Sequence, residues 1–363
     1  KPIGVWIMAY TTIDDPTSFF NTVLYTGNAT ARSITGVGFQ PDWVWGKNRS
    51  TTNWHDLEDS VRGATKRLSS NETDAEATET VNFTSFDSDG FSVGTGQNVN
   101  GNGNSIVVWN WKAGTSFSND ASATSIGTID SSGSTNQTAG FSIVSWTGTG
   151  SAGTVAHNLG SVPEWYIVKN RSDGNNWAVY HHKSNANPEQ YVLYLDGTYA
   201  ATDDSGLTND TAPTSTVFSL TNGNYGNQNS YNYIGYFFSE VKGYSKFGSL
   251  VSNNSDNGTF AYTGFSPSWV MLKGNVTDTW SDWYIFDNKR KTFNLNDVYL
   301  QANDSAAETG AGANYAQIDM LSNGFKIRRD ANWGYGGSGT TLFYMAFAES
   351  PFVNSNGVPT NAR

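Results

Sequence analysis

Apolar residues along this chain fall in short alternating runs, and the runs recur. Phe20-Asn21-Thr22-Val23-Leu24-Tyr25, Phe141-Ser142-Ile143-Val144-Ser145-Trp146 and Phe247-Gly248-Ser249-Leu250-Val251 each open a stretch led by Phe. A second run then follows a Pro, with a Trp two residues after it and a Lys six after it: Pro41, Trp43, Lys47, then Pro163, Trp165, Lys169, then Pro267, Trp269, Lys273. Period-two alternation puts Trp43, Trp45 and Lys47 on one face and Val44 and Gly46 on the other, so the pattern predicts a central strand covered on both sides. The lysines are expected to snorkel at the strand ends.

The repeat continues downstream. Trp54, Trp177 and Trp283 occupy comparable places, followed by a Leu with Asn or Asp three residues on and Ala seven on: Leu68, Asn71, Ala75, then Leu193, Asp196, Ala200, then Leu300, Asn303, Ala307. Phe91-Ser92-Val93, Phe218-Ser219-Leu220 and Phe325-Lys326-Ile327 come next. Each copy closes on alternating apolar residues: Val107, Trp109, Trp111; Ile234, Tyr236, Phe238; Phe343, Met345, Phe347. The Pro anchors lie 122 and 104 residues apart, a length that suits one small domain per copy and not one turn of a solenoid.

Short strands bounded by Gly, Asn and Ser predict an all-β fold of three tandem antiparallel β-sandwich repeats, jelly-roll-like, with minor short helices. The expected organisation is an N-terminal arm (1–18), repeats at 19–113, 140–245 and 246–352, a Ser/Thr/Gly-rich linker at 114–139 and a C-terminal tail (353–363). Helical turns are expected at 71–79, where Asn71 can cap, and at 303–308. Only 241–245 separates the second repeat from the third, so those two should pack closely and the first stand more independently. The chain starts at Lys1 without an initiator Met and reads as a processed or partial product.

Composition adds to this at a few points. Hydrophobic residues are only 37%, but 13 Trp, 18 Tyr and 20 Phe supply enough ring surface for three cores. A net charge of −11 argues against nucleic acid as a partner, which needs a basic face. The absence of Cys removes disulfides and thiolate metal sites, and no apolar run approaches the roughly 20 residues of a membrane-inserted helix.

Candidate chemistry is sparse. Asp87-Ser88-Asp89-Gly90 looks like half of a calcium loop but reads better as a β-turn, because Leu321-Ser322-Asn323-Gly324 turns into the same Phe-led strand without a carboxylate. Asp59 with Arg62 and Asp287 with Arg290 share one spacing and suggest local ion pairs that order a loop. His181 and His182 stand near this place in the middle copy, but adjacent strand residues face opposite ways and chelate a metal poorly. There is no Gly-x-Ser-x-Gly elbow and no thiol, and paired carboxylates for glycoside hydrolysis would be a tertiary fact. No cofactor, metal site or catalytic residue is assigned. The loops before the closing strands hold rings among Gly and Asn, and Asn224, Tyr225, Asn332, Trp333 and Tyr335 are the candidate glycan contacts. Such rings stack on sugar faces, or else pack on a neighbouring repeat or subunit.

Longer phrases carry a resemblance. Gly36-Val37-Gly38-Phe39-Gln40-Pro41-Asp42-Trp43-Val44, Asp59-Ser60-Val61-Arg62-Gly63-Ala64 and Phe86-Asp87-Ser88-Asp89-Gly90-Phe91 belong to it, as do Thr211-Ala212-Pro213-Thr214-Ser215-Thr216-Val217-Phe218, Gly243-Tyr244-Ser245-Lys246-Phe247-Gly248-Ser249 and Met345-Ala346-Phe347-Ala348-Glu349. Together they resemble a family of virion proteins, tail-fibre or structural, of marine and other aquatic bacteriophages. The resemblance runs from about Phe20 to the end of the chain and leaves residues 1–18 uncovered. It implies a component of a phage particle, at the particle surface or tail, and carries no catalytic residues. Expected partners are a host-surface glycan, other virion proteins and further copies of the chain. The alternatives are a purely structural decoration or assembly protein and a polysaccharide-degrading enzyme.

Overall fold

The computed structural model describes residues 9–278, 281–309, 316–329 and 337–360. It is all-β, with large antiparallel sheets that share one strand order. In the first sheet the opening strand Phe20–Thr26 pairs with the closing strand Ser105–Trp111, which pairs with Trp43–Asn48 and then Asp56–Asp59. The second repeats this order with Phe141–Thr147, Asn232–Phe238, Trp165–Asn170 and Ala178–His181, and the third with Ser245–Val251, Thr341–Pro351, Phe265–Gly274 and Trp283–Asp287. Registers coincide as well. Trp43 lies opposite Trp111 and Asp59, Trp165 opposite Phe238 and His181, and Trp269 opposite Phe347 and Asp287.

The predicted alternation decides what each face meets. Val44 and Val108 pack outward with Ile34, Phe83, Phe91 and Val93 of a smaller sheet formed by Arg32–Thr35, Gly90–Val93 and Phe83–Asp87. Tyr166, Val168 and Phe237 do the same with Val155, Phe218 and Leu220, and Val270, Leu272 and Tyr344 with Ala261, Phe325 and Ile327.

The opposite faces all enter one cluster, which holds Trp43, Trp45, Trp109 and Trp111 of the first sheet, Trp165, Tyr236 and Phe238 of the second, and Trp269, Met271 and Phe347 of the third. Trp43 stacks on Tyr236 at 4.4 Å, Phe20 on Phe347 at 5.1 Å, and Trp111 meets Trp269 edge-on at 5.8 Å. Burying one such ring contributes roughly 4–6 kcal/mol before conformational entropy is charged against it. The first sheet is therefore joined to the other two as intimately as they are to each other, contrary to the expectation that it stands apart.

Residues 114–139, expected as a linker, differ from that reading. Thr115–Asn119 pairs with Ser131–Asn136, which pairs with Phe141–Thr147, so the segment adds two strands to the edge of the second sheet. Ser and Thr hydroxyls and cross-strand contacts carry these strands in place of apolar bulk. Gly133 is required there, since a Cβ would sit 1.9 Å from Ile143 O and 2.8 Å from the Phe117 ring. The helical turns expected at 71–79 and 303–308 do not form: the second is a loop, the first a loop that ends in the short strand Ala77–Thr78 paired with Lys66–Arg67, and Asn71 and Asn303 bind backbone across the sheet rather than capping. Of the arm, Ile13 joins the common core and the Tyr10 hydroxyl donates to Gly264 O at 2.8 Å. Val5-Trp6-Ile7-Met8 lies outside the described residues. The tail is tied back by Ser355 N, which donates to Asp14 Oδ1 at 2.7 Å.

Candidate functional site

The residues that repeat most strictly are the ones that join the sheets. Each lysine of the Pro-Trp-Lys pattern is fully buried, not snorkelling, because loop carbonyls close over its exit. Lys169 Nζ donates to Thr73 O at 2.8 Å and Asn175 O at 2.9 Å, and Lys273 Nζ to Thr198 O at 3.2 Å and Ser281 O at 2.6 Å. Thr73 and Thr198 sit on the loop of the preceding sheet, so each of these two ammonium groups crosses a joint. Lys47 donates to Asn48 O at 2.7 Å. Burial pushes Lys47 and Lys169 down to about 8 and Lys273 down to about 7.

The Leu-x-x-Asn/Asp signature explains those loops. Asn71 Oδ1 accepts from His55 N at 2.9 Å, Asp196 Oδ1 from Trp177 N at 2.7 Å and Asn303 Oδ1 from Trp283 N at 2.9 Å. The equivalent of Trp177 and Trp283 is thus His55, not Trp54, which is 43% exposed beneath the Arg67 guanidinium. All three rings reach across a joint. Trp177 Nε1 donates to Ser69 O at 2.9 Å, Trp283 Nε1 to Tyr194 O at 2.8 Å, and His55 Nε2 lies 3.0 Å from Gln301 O. The second sheet holds the loop of the first, the third that of the second, and the first that of the third, so the contacts close in a ring.

The Asp/Arg pairs expected to order local loops do so, with Arg62 Nε donating to Asp59 Oδ2 and Arg290 Nε to Asp287 Oδ2, each at 2.5 Å. They also extend across joints. The Tyr236 hydroxyl donates to Asp59 Oδ2 at 2.7 Å, and Trp109 Nε1 to Asp287 Oδ2 at 3.0 Å. Glu76 joins Arg62 to Arg171 of the second sheet, and Glu308 joins Arg290 to Arg49 of the first.

At the joint between the second and third sheets the same positions hold His181, Ser184, Ala201 and Asn275, and no ion pair forms among them. Ala201 N donates there to Asn275 Oδ1 at 2.8 Å. His181 is buried against Phe343 at 5.1 Å between ring centres, and burial pushes its imidazole down to about 3. His182 Nε2 lies 2.7 Å from Phe247 O. The two histidines therefore meet different parts of the third sheet. Asp89 accepts from Gly36 N and Gly38 N at 3.1 and 2.7 Å in the expected turn before Gly90.

Of the candidate glycan contacts, Asn332, Trp333 and Tyr335 lie outside the described residues. Tyr225 is half-buried, packs on the second sheet's outer core and shares a hydroxyl contact of 2.9 Å with Tyr194. Asn224 is exposed, and its carbonyl accepts from the Tyr233 hydroxyl at 3.3 Å. The structure does not bring Tyr225 out as a free ring.

A cavity that the motifs did not point to opens beside the third sheet. It has a volume of about 430 Å³, and its lining includes Asn288, Lys291, Phe293, Asn294, Asn296 and Asn323. Phe293 is 68% exposed. The wall is an insertion. Leu300 lies 10 positions after Arg290 and Leu193 lies 9 after Ser184, against 6 from Arg62 to Leu68. The longer interval, shared with the middle copy, signals an extended loop here and not the cavity itself.

One family model matches residues 15–351, and it describes a domain of unknown function (DUF7483). No curated protein and no solved structure matches the chain.

Proposed function

We propose a role from the geometry, because the chain belongs to the DUF7483 family, a domain of unknown function. In this reading the chain is three copies of one β-sandwich plan closed into a ring, and it acts as a non-enzymatic phage virion protein at the particle surface or tail. Its rim loops face a host-surface glycan. The observation that carries the reading is the single aromatic cluster shared by all three large sheets. A ring welded through its centre is suited to hold peripheral loops in fixed relation, which lowers the ordering cost of binding. Asp56 and Glu58 share one strand face and are both fully buried, out of reach of the water that hydrolysis consumes. That placement removes this pair as a hydrolytic site.

The test is adsorption of fluorescently labelled protein to candidate host cells before and after enzymatic removal of their surface polysaccharide. Adsorption that falls with the polysaccharide supports recognition, and adsorption indifferent to it counts against recognition.

A second reading, particle assembly, is favoured by one feature. Val251, Phe260 and Tyr262 are 54%, 41% and 54% exposed on neighbouring strands of the third unit. Apolar side chains grouped this way suit a protein neighbour. Loss of particle incorporation by a Phe260→Ser, Tyr262→Ser variant that still adsorbs to cells would favour it.

A further inference from the structure

We infer that the cavity beside the third sheet binds a single neutral pyranose unit, with Phe293 as the stacking face and Asn288 and Asn296 as the hydroxyl acceptors. The inference rests on the recognition reading above and gives it a place. Three independent features converge on it.

The first is an unmet acceptor in a buried position. Asn296 is 1% exposed, and its Nδ2 donates to Asp287 O at 3.0 Å. Its Oδ1 has no donor among the described residues, and neither does Asn288 Oδ1. A buried acceptor left unpaired costs about 1–3 kcal/mol, and both oxygens are closed off from solvent, so a ligand rich in O–H donors would relieve that cost once the amides turn toward the cavity.

The second is the ring. A Phe 68% exposed at the mouth of a polar cavity has lost the burial that normally places it, and an apolar ring face is what the C–H side of a pyranose covers. The Lys291 ammonium stands 4.8 Å over this ring and is itself paired with Asp297 at 3.0 Å, which fixes the ring's surroundings.

The third is charge and size. Lys291 lines the cavity but is already paired with Asp297, and Glu349 lines it too, so the wall disfavours an anionic ligand. A volume of about 430 Å³ accommodates one sugar ring with its waters. The loop is also held in shape before any ligand arrives. Asn294 Nδ2 donates to Met320 O at 2.8 Å, and Met320 N donates back to Asn294 Oδ1 at 2.9 Å.

The test is titration of the full chain with the methyl glycosides of glucose, galactose, mannose and N-acetylglucosamine, read by saturation-transfer NMR and calorimetry. At least one glycoside is expected to bind. Phe293→Ala, at an exposed position where folding is not at stake, should weaken that binding by about tenfold or more, as loss of a central ring anchor does. Asn288→Ala should weaken it too, with circular dichroism unchanged. Glycoside binding that both variants retain would overturn the site while leaving glycan recognition intact. Failure of all four glycosides to bind, with polysaccharide-dependent adsorption still seen, would equally overturn it. Absence of both glycoside binding and polysaccharide-dependent adsorption would sink the recognition reading along with it.

Discussion

The Tyr236 hydroxyl donates to Asp59 Oδ2 at 2.7 Å, joining the closing strand of the second sheet to the third strand of the first. Asp59 is fully buried, and its other oxygen is taken by the backbone N–H groups of Val61 and Arg62. The phenol therefore completes a carboxylate that has no access to water. Tyr236→Phe keeps the ring that stacks on Trp43 and removes a hydroxyl that donates to Asp59 and accepts from Arg62 Nη2 at 3.1 Å, so it should lower the unfolding free energy by about 1–3 kcal/mol. Urea unfolding followed by Trp fluorescence measures this. An unchanged midpoint would mean that Arg62 alone satisfies Asp59.

The three joints should not respond equally. Glu76 binds the Arg171 guanidinium at 2.8 and 3.0 Å and also Arg62 Nη1 at 3.2 Å, with little of any of these side chains exposed. Glu76→Gln removes the carboxylate from Arg171, while Arg62 keeps Asp59, and should cost about 1.5–3 kcal/mol. Asn275→Ala at the neutral joint loses one amide acceptor and should cost about 0.5–1.5 kcal/mol. The reverse order in denaturant midpoints would show that the charged joints contribute less than their geometry implies.

That contrast also shows what could be read from the chain. The face each Trp occupies follows from period two, and the structure agrees from Trp43 through Phe347. The strict Leu-x-x-Asn/Asp spacing was visible as a pattern, but its work, holding a loop onto the backbone beside a ring that clasps another sheet, is tertiary. Trp54 misled because residue type was matched where position mattered, and a one-residue slip in a strand reverses the face. Arg49 and Arg171 stand two residues after their lysines, and Glu76 and Glu308 one after their alanines. These columns lose charge together at Asn275 and Ala201, a covariation within one chain that marks the neutral joint. Residues 114–139 misled in another way, since small hydroxyl side chains read as linker when no neighbouring strand is known.

Glu58 offers a test of opposite sign. Both its carboxylate oxygens lack a hydrogen-bond donor among the described residues, and burial pushes its carboxyl well above the ordinary 4.5. A raised carboxyl supports the fold fully below its unfolded value and loses that support as pH rises through its folded value. At neutral pH it is therefore a burden. The matching positions in the other sheets hold Tyr180 and Phe286, both within outer cores. Glu58→Met should raise the unfolding free energy at pH 8 by about 1–3 kcal/mol and bring little gain at pH 4, where wild type is already protonated. A destabilised variant at pH 8 would reveal a partner for the carboxylate.

Lys273 works the other way along the pH axis. Burial pushes its ammonium down to about 7 from an ordinary 10.5. Between those values the unfolded chain holds a proton that the folded chain has released, so unfolding takes up protons and stability rises with pH. The support is complete above 10.5 and is lost as pH falls toward 7. Lys47 and Lys169, each at about 8, add to the same slope over a narrower window. Lys273→Met fills the space of the stem without a charge, yet leaves Ser281 O and Thr198 O without their donor. The variant should be less stable than wild type at pH 10, by about 1–3 kcal/mol, with the deficit shrinking steadily as pH is lowered to 7. A deficit constant across that range would mean that Lys273 stays charged in the fold, its carbonyl partners outweighing the cost of burial.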